Sequence, residues 1–99
     1  MGSSKIERTW LRSLRIKGMV KQAELKGKSG RPYLVDGYDP KTNTVYELNG
    51  GFWHGDPKKY RPEEINPRNG ITFGKLYEET LKREQDLRDA GYKLVVKWV

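Results

Sequence analysis

The sequence predicts an α/β fold, and three observations carry that prediction. Tyr33–Tyr38 and Asn43–Leu48 are rich in aromatic and branched residues and flank Asp39-Pro40-Lys41-Thr42, the pattern of two strands joined by a turn. Residues 73–90 set Leu76, Thr80, Leu81 and Leu87 along one side of a helix, with Glu78/Lys82, Glu79/Arg83 and Glu84/Arg88 as supporting i,i+4 pairs. Beyond Gly91, which supplies a stop, Tyr92–Trp98 alternates, with Tyr92, Leu94, Val96 and Trp98 on one well-buried face. A helix between a hairpin and a last strand lets that strand join the same sheet by a crossover, giving an α/β sandwich.

The other elements follow in chain order. Over residues 5–16, Ile6, Trp10 and Leu14 recur at a spacing of four and Leu11 widens the stripe, so a helix is expected, capped by Ser4 and ended by Gly18. Met19-Val20 and Leu25 suit either a strand or a short helical piece, and Lys26–Pro32 reads as a polar connection. A hairpin centred near Lys41 sets Asp36 roughly opposite Tyr46 and Glu47. Asn49–Gly70 holds four Gly and three Pro and reads mostly as loop, of a length that is usually functional or mobile.

Ninety-nine residues make one domain with a modest core, assigned to residues 5–99. Met1-Gly2-Ser3-Ser4 resembles an expression remnant, so the chain reads as a domain cut from a longer protein. With no cysteine, disulfides and thiolate metal sites are excluded. No apolar run suits a bilayer span or a signal peptide, and no membrane partner is expected. The net charge of +7 is concentrated: Lys5–Arg31 has nine Lys or Arg against Glu7 and Glu24. Such a segment suits a protein that meets a polyanion, although a solvated surface or an anionic membrane would also accommodate it.

The candidate chemistry begins with two acids in apolar strands, Asp36 in Tyr33–Gly37 and Glu47 in Val45–Leu48. A buried carboxylate needs a partner or a cation, and paired carboxylates are the usual oxygen ligands of Mg²⁺. The alternative is an edge hairpin whose acids face water or Arg31. His54, the sole histidine, lies in Gly50-Gly51-Phe52-Trp53-His54-Gly55 and suits either a proton-transfer role near neutral pH or a structural one. Glu7 opens the first helix, where an acid is favourable in any case, or it orients His54 or a bound water. Asn49 shares the strand face of Glu47 and offers an amide without charge. Arg12, Arg15, Lys17, Lys58, Lys59 and Arg61 are candidates for phosphate contacts. Trp53 and Tyr60 either stack on bases or pack the loop. The segment Gly27-Lys28-Ser29 lacks the glycines and preceding strand of a nucleotide-binding loop.

Taken together, Tyr33-Leu34-Val35-Asp36-Gly37-Tyr38, Val45-Tyr46-Glu47-Leu48-Asn49-Gly50-Gly51-Phe52-Trp53-His54-Gly55, Leu87-Arg88-Asp89-Ala90-Gly91-Tyr92 and the strand closing on Trp98 resemble the very short patch repair endonucleases. That group belongs to the wider restriction-endonuclease-like PD-(D/E)XK fold, a mixed sheet flanked by helices. The resemblance spans roughly residues 5 to 98. It implies Asp36 as the metal-binding aspartate, Glu47 at the second acidic position of the wider fold, and His54 as general base. It also implies Glu7 as an active-site member and the Leu48 carbonyl as a further metal ligand.

Asn49 stands where the wider fold has lysine. A fifth acid expected on the last helix has no clear counterpart; Thr80 lies near that register, beside Glu79 and Glu84. The repair enzymes hold a structural zinc with Cys and His; the corresponding places here are Asn49, Gly51, Asp56 and Lys58, so no structural zinc is expected. The resemblance thus leans toward the catalytic domain of a phage or intron-encoded homing endonuclease. That implies Mg²⁺ or Mn²⁺ as cofactor, double-stranded DNA as partner, cutting by a homodimer or by sequential nicks, and the cytoplasm of a bacterial or phage-infected cell. A mismatch-repair nicking enzyme, a non-catalytic DNA-binding domain and a domain docking a protein through Phe52-Trp53 are the competing readings.

Overall fold

The alternation of apolar residues builds one four-stranded sheet. The computed structural model describes residues 4–99. Its elements are α1 (Lys5–Ser13), β1 (Val20–Lys26), β2 (Pro32–Asp39), β3 (Thr44–Asn49), α2 (Gly51–His54), α3 (Phe73–Asp89) and β4 (Lys93–Trp98). The strands lie in the order β1-β2-β3-β4. β1/β2 and β2/β3 are antiparallel, and α3 delivers β4 parallel to β3, pairing Thr44 with Lys93 through to Asn49 with Trp98. The α/β class, the mixed sheet and the crossover strand are as the sequence predicts. The ambiguous stretch after α1 resolves to a strand.

Val45 and Tyr46 point to opposite faces of β3, and each meets a different helix. Val45 packs with Ala23, Val35 and Leu87 of α3 in the buried core. Tyr46 meets Trp10 of α1 edge-on, with ring centroids 6.3 Å apart. Leu11 of α1 covers Gly37, the cross-strand partner of Tyr46. The two helices therefore lie on opposite faces of the sheet.

Four local expectations are corrected. α1 ends at Ser13, well before Gly18. The Leu14 and Arg15 N–H groups reach back to Leu11 and Arg12, a tightened last turn, and Arg15 then adopts φ +52°. In α3, Leu81 is exposed, and the buried positions are Phe73, Thr80, Glu84 and Leu87. The Glu79/Arg83 pair does not form: Glu79 takes Lys75 at 3.1 Å, while Arg83 turns inward to the sheet. The apolar face of β4 is half-buried, because β4 is an edge strand. Ser4 caps α1 as expected, accepting the Glu7 N–H at 3.1 Å; residues 1–3 lie outside the described residues.

The segment expected as loop contains α2 and its own apolar cluster. Tyr60 stacks on Phe73 at 4.1 Å, and Phe52 sits edge-on to both. Buried Asn66 donates from its amide to the Phe52 carbonyl at 2.9 Å and accepts the Arg68 N–H at 2.8 Å, which closes the turn beneath α2. No helix among the described residues is long and apolar enough to cross a membrane.

α2 ends at Gly55, whose φ is +70° and whose missing Cβ would overlap the Phe73 carbonyl oxygen. Gly55→Ala is therefore expected to destabilise the fold by about 3 kcal/mol, from backbone strain and overpacking together. Urea unfolding measures it; an unchanged midpoint would contradict the close seating of α2 on α3.

Candidate active site

An interruption in strand alternation creates the site. Val35 and Tyr38 both reach the α3 side of the sheet although they are three residues apart, so the pleat is broken at Asp36-Gly37. Opposite them on β1, Gln22 has φ +52°, an uncommon conformation for a residue with a side chain. Gln22 donates from its amide to Glu7 Oε2 at 2.8 Å. Asp36, freed from the regular ladder, accepts the Leu48 backbone N–H on Oδ2 at 2.7 Å. The β2/β3 pairing puts Gly37 opposite Tyr46, so Asp36 faces Glu47 one step further along, as the hairpin register predicts.

Three carboxyls from α1, β2 and β3 thus meet. Glu7 is pushed up to about 7, first by burial and then by the charge of Asp36, to which it also hydrogen-bonds. Glu47 is likewise pushed up to about 7: burial dominates, Asp36 adds to it, and Arg83 works against it. Glu47 is 7% exposed, which is why its burial outweighs the nearby cation.

Arg83 is the functional candidate that sequence reasoning passed over. Its Nε lies 3.2 Å from Glu47 Oε1, its Nη2 bonds the same oxygen, and Nη2 also donates to the Leu34 carbonyl at 2.7 Å. Its guanidinium lies over the Tyr33 ring, 5.1 Å from the centroid. The i,i+4 spacing from Glu79 offers a surface partner that hides this role. The sequence signal available was the buried Glu47, which needs a cation from somewhere.

A cleft of about 410 Å³ opens beside the carboxyls, lined by Glu7, Asp36, Leu48, Trp53 and His54 among others. Glu47 is not among its lining residues; it lies behind Asp36, turned toward Arg83. His54, at the end of α2, is half-buried, and its Nδ1 lies 3.1 Å from Thr80 Oγ1 on α3. Trp98 stands edge-on to the imidazole at 6.3 Å. Burial first, and Arg83 second, hold His54 below its usual 6.5, with Asp36 opposing them. Burial and Arg83 thus favour the neutral ring.

Asn49 is buried and directs its amide to Glu84 Oε2 at 3.4 Å, away from the cleft residues. Arg12, Arg15, Lys17, Lys58, Lys59 and Arg61 are all exposed, and Arg61 lies 3.6–3.8 Å from Glu63 and Glu64. Asp56 is buried and accepts the Lys58 N–H at 2.9 Å.

Among the described residues, no three His, Cys, Asp or Glu side chains form a ready cation cage. The donor chemistry nevertheless suits a hard divalent ion. Glu7 and Asp36 present carboxyl oxygens at the cleft, and burial together with the charge of Asp36 disfavours the charge of Glu7, which a cation there would offset. Leu48 points its N–H toward β2, and in a strand its carbonyl lies on the same side. An ion such as Mg²⁺, which keeps several waters, needs few protein oxygens. Comparison with protein-family models, curated proteins and solved structures finds no match to this chain.

Two outcomes are expected in metal-free buffer. Because Glu7 and Glu47 ionise near 7 when folded but near 4.5 when unfolded, the native state binds more protons between these values. Their stabilising contribution is full below about 4.5 and is lost as pH rises to about 7. Glu7→Gln, which keeps an acceptor for Gln22, should flatten this decline in thermal unfolding; an identical pH slope would contradict the raised Glu7. Arg83→Met should cost about 2 kcal/mol at neutral pH, less than the loss typical of a fully buried pair because Arg83 is partly exposed. Glu47→Gln in the same chain should recover most of it, and a double-mutant cycle measures the coupling.

Proposed function

We propose that this chain is a metal-dependent DNA endonuclease domain that resembles the very short patch repair enzymes but is closest in type to the catalytic domain of a homing endonuclease, with a restriction-endonuclease-like PD-(D/E)XK core. The observation that carries this reading is the convergence of Glu7, Asp36, Leu48 and His54 on one cleft from α1, β2, β3 and α2. The charge of Asp36 raises the affinity of Glu7 for a proton, and such a place is equally receptive to a divalent cation.

Asp36, Glu7 and the Leu48 carbonyl would hold Mg²⁺, with Glu47 supporting Asp36 from behind. Bound there, Mg²⁺ would supply positive charge to the scissile phosphate and acidify a bound water. His54, neutral and at the cleft wall, accepts the proton of the attacking water. Glu7 orients that water or the imidazole. Arg83 keeps Glu47 fixed behind the reacting centre. Asn49 stands where the wider fold has lysine but bonds Glu84, so the lysine's part would fall to the bound ion and His54. The exposed cations of the Lys5–Arg31 stretch would meet the duplex backbone, contacts that weaken steeply with salt. The leaving group would be the 3′-oxygen, giving a 5′-phosphate and a 3′-hydroxyl.

Supercoiled plasmid tests the reading directly. Cleavage is expected with Mg²⁺ and not with EDTA, and Asp36→Ala and His54→Ala should each lower the rate by about 100-fold or more. Full activity in both variants would refute the assignment. DNA binding without any cleavage would instead favour a binding domain that keeps the fold and not the chemistry.

A further inference from the structure

Thr80 lies on the buried side of α3, directly beneath α2, where its hydroxyl meets two groups at once. A hydroxyl has one proton to give and two lone pairs to accept with. The proton goes to the Leu76 carbonyl one turn back, at 2.9 Å, a bond that threonine on a helix makes readily. His54 Nδ1 lies 3.1 Å from the same oxygen. With its proton committed, Oγ1 is left to accept, and Nδ1 must be the donor.

We infer that Thr80 is a positioning residue that holds neutral His54 in the Nδ1–H tautomer, leaving Nε2 as the ring atom able to take a proton. The tautomer of a histidine is set by the bond its other nitrogen makes. In water the Nε2–H form is the preferred one for a free side chain, so the Thr80 contact reverses the default.

A threonine does this differently from a carboxylate. An acid at the same place would fix the same tautomer but would also favour the imidazolium. Thr80 orients the ring without adding charge. The charge state of His54 is then left to its burial and Arg83, which favour the neutral ring, and to Asp36, which opposes them. In the proposed hydrolysis, the water oxygen bonds to phosphorus as its proton passes to Nε2. The bond from phosphorus to the 3′-oxygen breaks, and that oxygen takes a proton from solvent. His54 later releases its proton to solvent. The catalytic part of this inference rests on the proposed function; the tautomer does not.

The chain has one histidine, so its ring signals need no assignment by mutation. Two-bond proton–nitrogen correlation on ¹⁵N-labelled protein at pH 8 reads both nitrogens. The expected spectrum puts Nδ1 at the shift of a protonated nitrogen and Nε2 far downfield, as an unprotonated one. Thr80→Val should move the pattern toward Nε2–H, and Thr80→Ser should restore it. An Nε2–H wild type, or a Thr80→Val spectrum identical to wild type, overturns the inference. If the valine variant does not fold, the wild-type and serine spectra decide. On plasmid, Thr80→Val should lower kcat about tenfold at unchanged KM, a fraction of what a general base contributes. A wild-type chain that holds Nδ1–H but cuts no DNA upholds the tautomer and removes the nuclease reading.

Discussion

Glu47 sits on β3 with α3 lying over it, and it is the residue around which the two halves of the chain are organised. A carboxylate in that position is costly unless something positive faces it. Arg83 faces it from the helix and reaches on to the Leu34 carbonyl, so one side chain ties α3 to both β2 and β3. The same attachment fixes the rotation of the helix. Thr80, one turn earlier, then lies under α2, and Leu87, one turn later, fills the core against Val35 and Val45. An apolar residue in place of Glu47 could pack there, but it would not dictate which face of α3 turns inward.

On the other side of the sheet, the strain at Gln22 and the broken pleat at Asp36-Gly37 serve one geometry. They link Gln22 to Glu7 and Glu7 to Asp36, and let Asp36 reach both the Leu48 N–H and Glu47. Regular strands would send Asp36 to one face or the other and leave it there. The irregularity lets Asp36 serve Leu48, Glu7 and Glu47 together. Rigid strands and a helix N-terminus carry these groups, which holds their mutual geometry more tightly than loops would.

Much of this was legible in the sequence, for identifiable reasons. Acids inside short apolar strands are conspicuous because burial makes them expensive, and counting outward from the Lys41 turn gives their mutual register. The helical stripe of α3 and the alternation of β4 are long enough to be read by period alone. Arg83 was hidden because Glu79 offers it an equally regular surface partner. The break at Asp36-Gly37 inserts no residue and leaves the β1/β2 register unchanged, so strand counting does not reveal it; Gly37, a glycine inside a strand, was its one signal. α2 is a single turn inside a glycine-rich stretch, too short for any period to show. The placement of Thr80 under His54 depends on helix rotation, which is a tertiary fact. The nuclease assignment itself draws on a motif resemblance, and the geometry adds the means by which such chemistry could run.

The parallel pairing of β4 with β3 has a further consequence, in the order of events during folding. β1, β2 and β3 form a meander closed by short turns, so their contacts are local and quick to form. β4 must return across α2, the intervening loop and α3 before Lys93 meets Thr44. The last residues of the chain then complete the surroundings of the imidazole: the Val99 carbonyl accepts the Gly51 N–H at 2.8 Å and Trp98 comes to stand beside His54. A nascent chain would hold its acids together early and gain an ordered histidine only when this strand docks. Ordering of the imidazole would therefore coincide with completion of the sheet.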